Sequence, residues 1–532
     1  MCGFLVYTGN VETLPDFEHE LKKIEHRGPD NTTVLNFKEK GTLAFHRLSI
    51  MDTSHRGDQP LMDNDNLNYV VCNGEIYNYR ALFDEYHTKY HFTSRSDCEV
   101  ILPLYKEFGI EEAAKRLDAE FALVIYDEKL DKYFAARDGM GIRPLFYGFS
   151  KSEKKIIFAS EAKAIDQLCS QVFPFPPGHY YDGAGKILPY VDVADPGQDQ
   201  VENLDQALQG IHDFLYKAVE KRLHSDVPLG FLLSGGLDSS LVCGIAAKIL
   251  KNPIVTFSVG INENPIDTRY AKVVADHLGT IHHEVLFTAE DTVNVLDKLI
   301  WHLETWDITT VRASVGMYLL CKYVKENTDI KVLLTGEVSD ELFGYKYTDF
   351  APSPQAFQAE AQKRIRELYI YDVLRADRCI SANSIEARVP FSDQDFVHFV
   401  MSISPKIKMN TTGVGKYLLR KAFEKGNYIP HDILYRDKAA FSDAVGHSMV
   451  DHLKAFAEKK YKQSDLDKAK DKYPYCTPFT KESLLYRDIF EGHFPGRAHW
   501  IKDFWMPNKE WANCNVSDPS ARVLPNYGKS GE

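Results

Sequence analysis

Two stretches of this chain carry residue types able to do covalent chemistry. Cys2 lies one residue after the initiator methionine. If Met1 is trimmed, the thiol and a free α-amino group share one residue. That amine has a pKa of about 8, so a sizeable neutral fraction is present at neutral pH. It can take the thiol proton directly or through water, with no histidine. The second stretch is Ser234-Gly235-Gly236-Leu237-Asp238-Ser239-Ser240, after the apolar run Pro228–Leu233 and before an apolar helix to Leu250. A Gly/Ser turn between strand and helix presents N–H groups and hydroxyls to an anion. It is not the Walker pattern, because no Gly-Lys-Ser/Thr follows. Asp238 would repel an anion there unless a cation intervenes, and Mg2+ bridging phosphates meets that need. Thr335-Gly336-Glu337-Val338-Ser339-Asp340-Glu341 follows the strand read at Lys331–Leu334. Strand ends in parallel sheets carry ligands. Asp340 is then the partner of Asp238 on the metal, and Glu337 a candidate to order a nucleophile or move its proton.

The elements that must position these residues change in character along the chain. Short apolar segments at Phe4–Tyr7, Leu43–Phe45, Asn68–Cys72, Phe121–Tyr126, Lys132–Ala136 and Ile156–Ala159 read as strands between turn residues. Leu14–Ile24 and Cys98–Phe108 read as helices, the second capped by Ser96. Asp192–Asp205 is acidic, contains Pro and Gly, and reads as a linker. Beyond an amphipathic helix at Leu208–Leu223, runs at Leu229–Leu233, Ile254–Val259, Val285–Phe287 and Lys331–Leu334 alternate with helices, the signature of a mainly parallel sheet. Ala356–Leu374 reads as helical. The end from Phe494, rich in Pro, Trp and Asn, is expected to pack as surface loops.

His26–Asp30 (HRGPD), His46–Asp52, Asn73–Tyr79 and Ser94–Glu99 follow one another in order, joined by Arg137-Asp138, Gly141–Tyr147 and Ser160-Glu161. This set resembles the glutaminase domain of the class II, N-terminal-nucleophile amidotransferases over residues 2–190. The resemblance implies that Cys2 attacks the amide of glutamine. It implies that Arg47 grips the α-carboxylate as a fork, and that Asp97, with Glu75 near it, holds the α-ammonium. Leu48, Ser49, Ile50 and Met51 complete the pocket. The Asn73 side chain and the Gly74 N–H would stabilise the oxyanion, with glycine at 74 letting the backbone approach the substrate.

The Ser234–Ser240 loop looks like the pyrophosphate loop of ATP pyrophosphatases, which cleave ATP to an adenylate and pyrophosphate. Across nearly the whole chain the two halves together resemble the glutamine-hydrolysing asparagine synthetase family. This implies a layered αββα Ntn-hydrolase domain at 2–190, a linker at 191–205 and a mainly parallel α/β ATP pyrophosphatase domain at 206–532. It implies glutamine, aspartate and ATP as substrates, a homodimer, and an apolar passage for ammonia. ATP would lie against Leu233, Ser234, Gly235, Gly236, Asp238, Ser239, Val259, Thr335 and Gly336, with Mg2+ on Asp238 and Asp340. Lys438, in Arg436–Asp443, is a cation suited to the pyrophosphate. Phe494–Ala498, Trp505–Pro507 and Asp518–Arg522 look closer to the eukaryotic form. The family usually reads Ser-Gly-Glu-Gly-Ser-Asp-Glu where this chain has Thr335 and Val338. Valine does not take φ > 0 comfortably, so the loop is expected to reshape there.

Composition narrows the alternatives. A chain of 532 residues exceeds a single core. A net charge of −13 without a basic block argues against nucleic-acid binding as the main function. Nine scattered cysteines without a CxxC pair fit a reduced, cytoplasmic protein. No apolar run reaches the roughly 18 residues of a membrane span. β-Lactam synthetase shares the architecture without using glutamine, and Cys2, Arg47 and Asp97 speak against it. Another acceptor and a silent homologue are the remaining readings, the latter opposed by Cys2, Asp238, Glu337, Asp340 and Lys438 occurring together.

Overall fold

Strands buried on both faces need apolar residues at nearly every position, and the N-terminal half supplies them. The computed structural model describes residues 1–198, 200–262, 265–437 and 447–528. The chain divides into two compact units. The first comprises Met1–Val193, His224–Pro228 and Ser381–Glu386, and the second Ala194–Leu223, Leu229–Ile380 and Ala387–Glu532.

In the first unit the order is β1 (Gly3–Tyr7), α1 (Phe17–Lys22), β2 (Asn31–Asn36), β3 (Thr42–Arg47), β4 (Leu61–Met62), β5 (Asn68–Ile76), α2 (Tyr79–Tyr86), α3 (Ile101–Arg116), β6 (Ala119–Asp127), β7 (Lys132–Arg137), β8 (Phe146–Ser150), β9 (Ile156–Ala159), β10 (Cys169–Pro174), β11 (His179–Tyr181) and β12 (Ile187–Pro189). They build two six-stranded sheets, β10-β8-β9-β1-β3-β2 and β12-β11-β7-β6-β5-β4. Alternation sorts the side chains. Tyr69 and Val71 of β5 and Ala122, Val124 and Tyr126 of β6 join Phe4, Val6 and Phe45 in one core. Val70, Cys72, Leu123 and Ile125 point the other way, against Ile101, Leu104 and Tyr105 of α3. The second sheet is thus covered on both faces, as the layered fold requires. β2, β4, β8, β10, β11 and β12 escape the reading by apolar runs. β2 is Asn/Thr-rich with alternate exposure, and β10 carries exposed Ser and Gln with a register shift.

In the second unit come α4 (Leu204–Arg222), β13 (Leu229–Leu232), α5 (Leu237–Leu250), β14 (Val255–Ile261), α6 (Asp267–Leu278), β15 (Ile281–Phe287), α7 (Ala289–Asn294), α8 (Leu296–Leu303), α9 (Ile308–Asn327), β16 (Val332–Leu334), α10 (Ser339–Phe343), α11 (Pro354–Glu367), α12 (Asp372–Ser381), β17 (Glu386–Arg388), α13 (Gln394–Ser402), α14 (Pro405–Lys408), α15 (Tyr417–Ala422) and α16 (His431–Leu434). The sheet order is β15-β14-β13-β16-β17. β13 pairs parallel with β14 and β16, and β14 parallel with β15. The helix expected at Ala356–Leu374 is two helices, α11 and α12, broken at Tyr371 (φ −126°, ψ −102°). The C-terminal end is not a set of surface loops. Trp500, Phe504, Trp511 and Cys514 are buried, and Trp511, Cys514 and Leu524 pack with Tyr347 and Phe357 in one core. The Pro/Asn content that suggests loops is real, but the large rings are anchors.

One buried ammonium in this unit is held by a backbone carbonyl. Lys408, which ends α14, is 6% exposed, and its ammonium donates to the Val400 carbonyl at 3.0 Å. Burial pushes it down to about 7 from 10.5. Between those values the unfolded chain binds more protons than the folded one, so stability rises with pH there, and below pH 7 the whole penalty is present. Lys408→Met is expected to stabilise this unit by about 2–4 kcal/mol at pH 6, a gain that fades towards pH 10. The Val400 carbonyl keeps the Ile403 N–H at 3.3 Å. Denaturant titrations at both pH values check this.

Candidate active sites

The first site forms where β1 begins. Cys2 is partly buried. Its sulfur accepts the Leu48 N–H at 3.4 Å and lies 3.7 Å from the Leu48 carbonyl. The Arg27 Nε donates to the Cys2 carbonyl at 2.9 Å, and Arg27 is itself paired with Glu161 at 2.6 Å. Arg27 therefore fixes the backbone of Cys2, a role that the HRGPD motif alone does not disclose. Asp30 of the same motif accepts the Ser49 N–H at 2.8 Å and fixes the Arg47–Met51 segment. With Met1 in place its amine is buried against the Ile385 carbonyl at 3.3 Å. Burial pushes that amine down to about 5 and the Cys2 thiol up to about 11. In this form Cys2 holds its proton at neutral pH.

Asn73 and Asp97 converge on the end of β5. Asp97 Oδ2 accepts the Ile76 N–H at 2.7 Å, and the Cys98 thiol lies 4.0 Å from the Gly74 carbonyl. Asn73 is 1% exposed, and neither its amide oxygen nor its amide nitrogen has a hydrogen-bond partner. An unsatisfied buried amide costs on the order of 1–3 kcal/mol, so it marks a place where a polar ligand belongs. Glu75 is buried beside it.

Two readings of this pocket change. Gly74 is required by the neighbouring strand whatever the substrate does, since a Cβ there would meet the Glu120 carbonyl at 2.5 Å. Arg47 does not offer an open fork. Its terminal nitrogens donate to the Ser54 carbonyl and Asp58 Oδ1 (2.7 and 2.6 Å) and to the Met51 and Asp52 carbonyls.

The second site is a cavity at the carboxyl ends of β13, β14 and β16. Leu233, Ser234, Gly236, Asp238, Ser239, Val259, Thr335, Gly336, Glu337 and Asp340 all line it. Gly236 precedes α5, and the Ser234 N–H donates to Ser239 Oγ at 3.1 Å. Gly235 turns away from the cavity, at φ +72°. A Cβ on it would lie 2.4 Å from the Ala271 nitrogen in α6. Its carbonyl accepts from Arg436 at 3.1 Å, and Arg436 also pairs with Asp267 at 3.0 Å. Gly336 is needed because the loop packs on it, with a Cβ 2.7 Å from the Ser239 nitrogen. The buried Thr335 hydroxyl has no partner.

The two acids expected to share a metal are brought together. Lys416 Nζ lies 2.8 Å from both Asp238 oxygens, 3.0 Å from Ser339 Oγ and 2.5 Å from Asp340 Oδ1. One cation thus bridges both carboxylates, and a donor set of two carboxylates facing a phosphate loop suits Mg2+. Lys416 was not singled out from sequence, although Gly413-Val414-Gly415 before it signals a tight loop. Glu337 is held by the buried Arg375 at 2.5 Å, and Arg375 also pairs with Asp372 at 3.0 Å. Burial, with the Asp372 and Asp340 carboxylates adding, pushes Glu341 up to about 8. Lys438 lies outside the described residues.

Comparison with known proteins decides the family. "Glutamine amidotransferase domain" matches residues 1–174, and "Asparagine synthase" matches residues 210–356 and 349–517. A glutamine-hydrolysing asparagine synthetase of Homo sapiens is 40% identical, covering 99% of both chains. That of Bos taurus is 39% identical over the same shares. A probable one of Acanthamoeba polyphaga mimivirus is 40% identical, covering 99% of this chain and 100% of its own. The chain belongs to the glutamine-hydrolysing asparagine synthetase family. Against the usual loop of asparagine synthetases, Val338 is the informative departure. The loop does not reshape around it. Val338 takes φ +81°, ψ −23°, at 2% exposure, just before α10. A β-branched residue there costs about 1–3 kcal/mol, offset in part by its burial. Val338 thus takes the positive φ that favours glycine, between Glu337 and α10.

Proposed function

We propose that this chain makes asparagine from aspartate, using glutamine as nitrogen donor and ATP as activating agent. Residues 2–190 are the glutaminase, 191–205 a linker and 206–532 the synthetase. With Met1 removed, Cys2 attacks the side-chain amide of glutamine, and its own amine takes the thiol proton. The Asn73 amide and the Gly74 N–H carry the oxyanion. Ammonia leaves, and water hydrolyses the thioester to glutamate. At the cavity the aspartate β-carboxylate attacks the α-phosphorus of ATP, giving β-aspartyl-AMP and pyrophosphate. Ammonia then displaces AMP. Per cycle, ATP, aspartate, glutamine and water become AMP, pyrophosphate, asparagine and glutamate.

Asp238 and Asp340 would hold Mg2+, which supplies charge neutralisation for the phosphates. Lys416, set free from those acids, would turn to the pyrophosphate, and Lys438 is proposed as a further cation for it. Glu337, kept in place by Arg375, is placed to take a proton from the incoming ammonia. The observation that carries the reading is the pairing of an unsatisfied Asn73 amide in the first site with Asp238 and Asp340 gathered on one cation in the second. Among the described residues no helix is long and apolar enough to cross a membrane. The chain is proposed to act in the cytoplasm as a homodimer. Purified protein given glutamine, aspartate and MgATP is expected to release asparagine and AMP in equal amounts. Absence of both products would sink the proposal.

A further inference from the structure

The sequence motif Asp518-Pro519-Ser520-Ala521 has no part in the chemistry above, yet Pro519, Ser520 and Ala521 line the synthetase cavity. Their chain is pinned to α9 at two points. The Trp505 N–H donates at 2.7 Å to Asp307, the residue that caps α9. Asp518 takes a two-pronged bond from Arg312 of α9 at 2.9 and 3.2 Å, with Lys454 at 2.6 Å and the Ser520 N–H at 2.8 Å. Arg312 is in turn neutralised by Glu482.

Helix α9 serves as a ruler for what lies where. Leu320 and Met317 line the cavity, as do the β14 residues Phe257 and Val259, and Arg375 Nη1 lies 3.6 Å from the Met317 sulfur. Glu337 and its partner therefore sit at the level of Met317. At about 1.5 Å per residue, Thr309 is about 12 Å further along, at the end closed by Pro519–Ala521. If adenosine takes the strand ends and the phosphates take the Ser234 loop, the reacting carboxylate meets them near Glu337. The amino-acid end of the acceptor must then point along α9 towards the C-terminal segment.

We infer that the segment Trp505–Ala521 builds the acceptor end of the synthetase cavity, so that aspartate affinity depends on the Arg312–Asp518 anchor. This rests on the nucleotide placement proposed above. The test uses the full-length enzyme with ammonium as nitrogen donor, and glutaminase activity as the control for folding. Asp518→Asn is expected to raise KM for aspartate about tenfold and to leave KM for ATP within about twofold. Ser520→Ala, a smaller change, is expected to raise KM for aspartate about threefold, and it decides the matter if Asp518→Asn does not fold. A matching rise in KM for ATP, or no change in either constant, overturns the inference. Failure of the nucleotide placement itself would show separately, as an Asp238→Asn enzyme with unaltered KM for ATP.

Discussion

Cys2→Ala is expected to lower glutamine-dependent asparagine synthesis by about 10⁴-fold or more while ammonium-dependent synthesis stays within about twofold of the parent enzyme. The sulfur has one structural contact of note, the backbone of Leu48. Alanine keeps β1 in register, because the β1–β3 pairing starts only at Gly3↔His46. What disappears is the nucleophile, and nothing near it can replace it. Cys72 and Cys98 are buried in the other core of the same unit, and burial, after a contact with Cys72, pushes the Cys98 thiol up. The same logic applies to Met1. While Met1 remains, its buried amine is pulled towards neutrality by desolvation, but it belongs to the wrong residue and the Cys2 thiol stays protonated. The active enzyme is therefore expected to lack Met1 by intact mass, and any fraction that retains it should use ammonium only. Measuring both nitrogen donors on one preparation checks the pair of statements. Equal loss of both activities in Cys2→Ala would make Cys2 structural.

Much of this arrangement was legible in the chain itself, for reasons that separate residue by residue. The strand–turn–helix around Ser234–Ser240 could be read because it is local: strand, turn and helix N-terminus are contiguous. Asp340 could be paired with Asp238 because both follow buried strands of one parallel sheet, whose carboxyl ends share an edge. Lys416 could not be found that way. It reaches the acids from a loop 178 residues beyond Asp238, and no periodicity links them. Gly74 and Gly235 stand in motifs that the sequence marks, but their packing against Glu120 and Ala271 is a tertiary fact that no local pattern carries. The sequence marks Arg47 as a carboxylate-binding candidate, and its pairing with Asp58 depends on how the 51–58 loop folds back. Val338 taught the reverse lesson. Propensity predicted that the loop would yield to the valine, and instead the surrounding contacts hold the valine at positive φ, as strained residues at functional sites often are.

Lys416→Met should separate the two catalytic units most sharply. The ammonium lies within 3.0 Å of Asp238, Asp340 and Ser339, and the lysine is 5% exposed. Removing it takes away the cation that both carboxylates share. Breaking a buried ion pair from one side costs about 3–5 kcal/mol, and somewhat less here because the Asp340 side chain is 29% exposed. Thermal unfolding of the metal-free variant is therefore expected well below that of the parent. Magnesium chloride should raise the variant's unfolding temperature more than the parent's, because in the parent Lys416 already occupies the space between the acids and must be displaced. Synthetase turnover, with ammonium as donor, is expected to fall about 10²–10³-fold, the usual consequence of deleting one preorganised cation or donor from a transition state that accumulates charge. Glutamine hydrolysis without ATP should be untouched. A variant with parental turnover would show that Lys416 only spaces the acids. A variant whose stability ignored magnesium would show that Asp238 and Asp340 do not form a metal site.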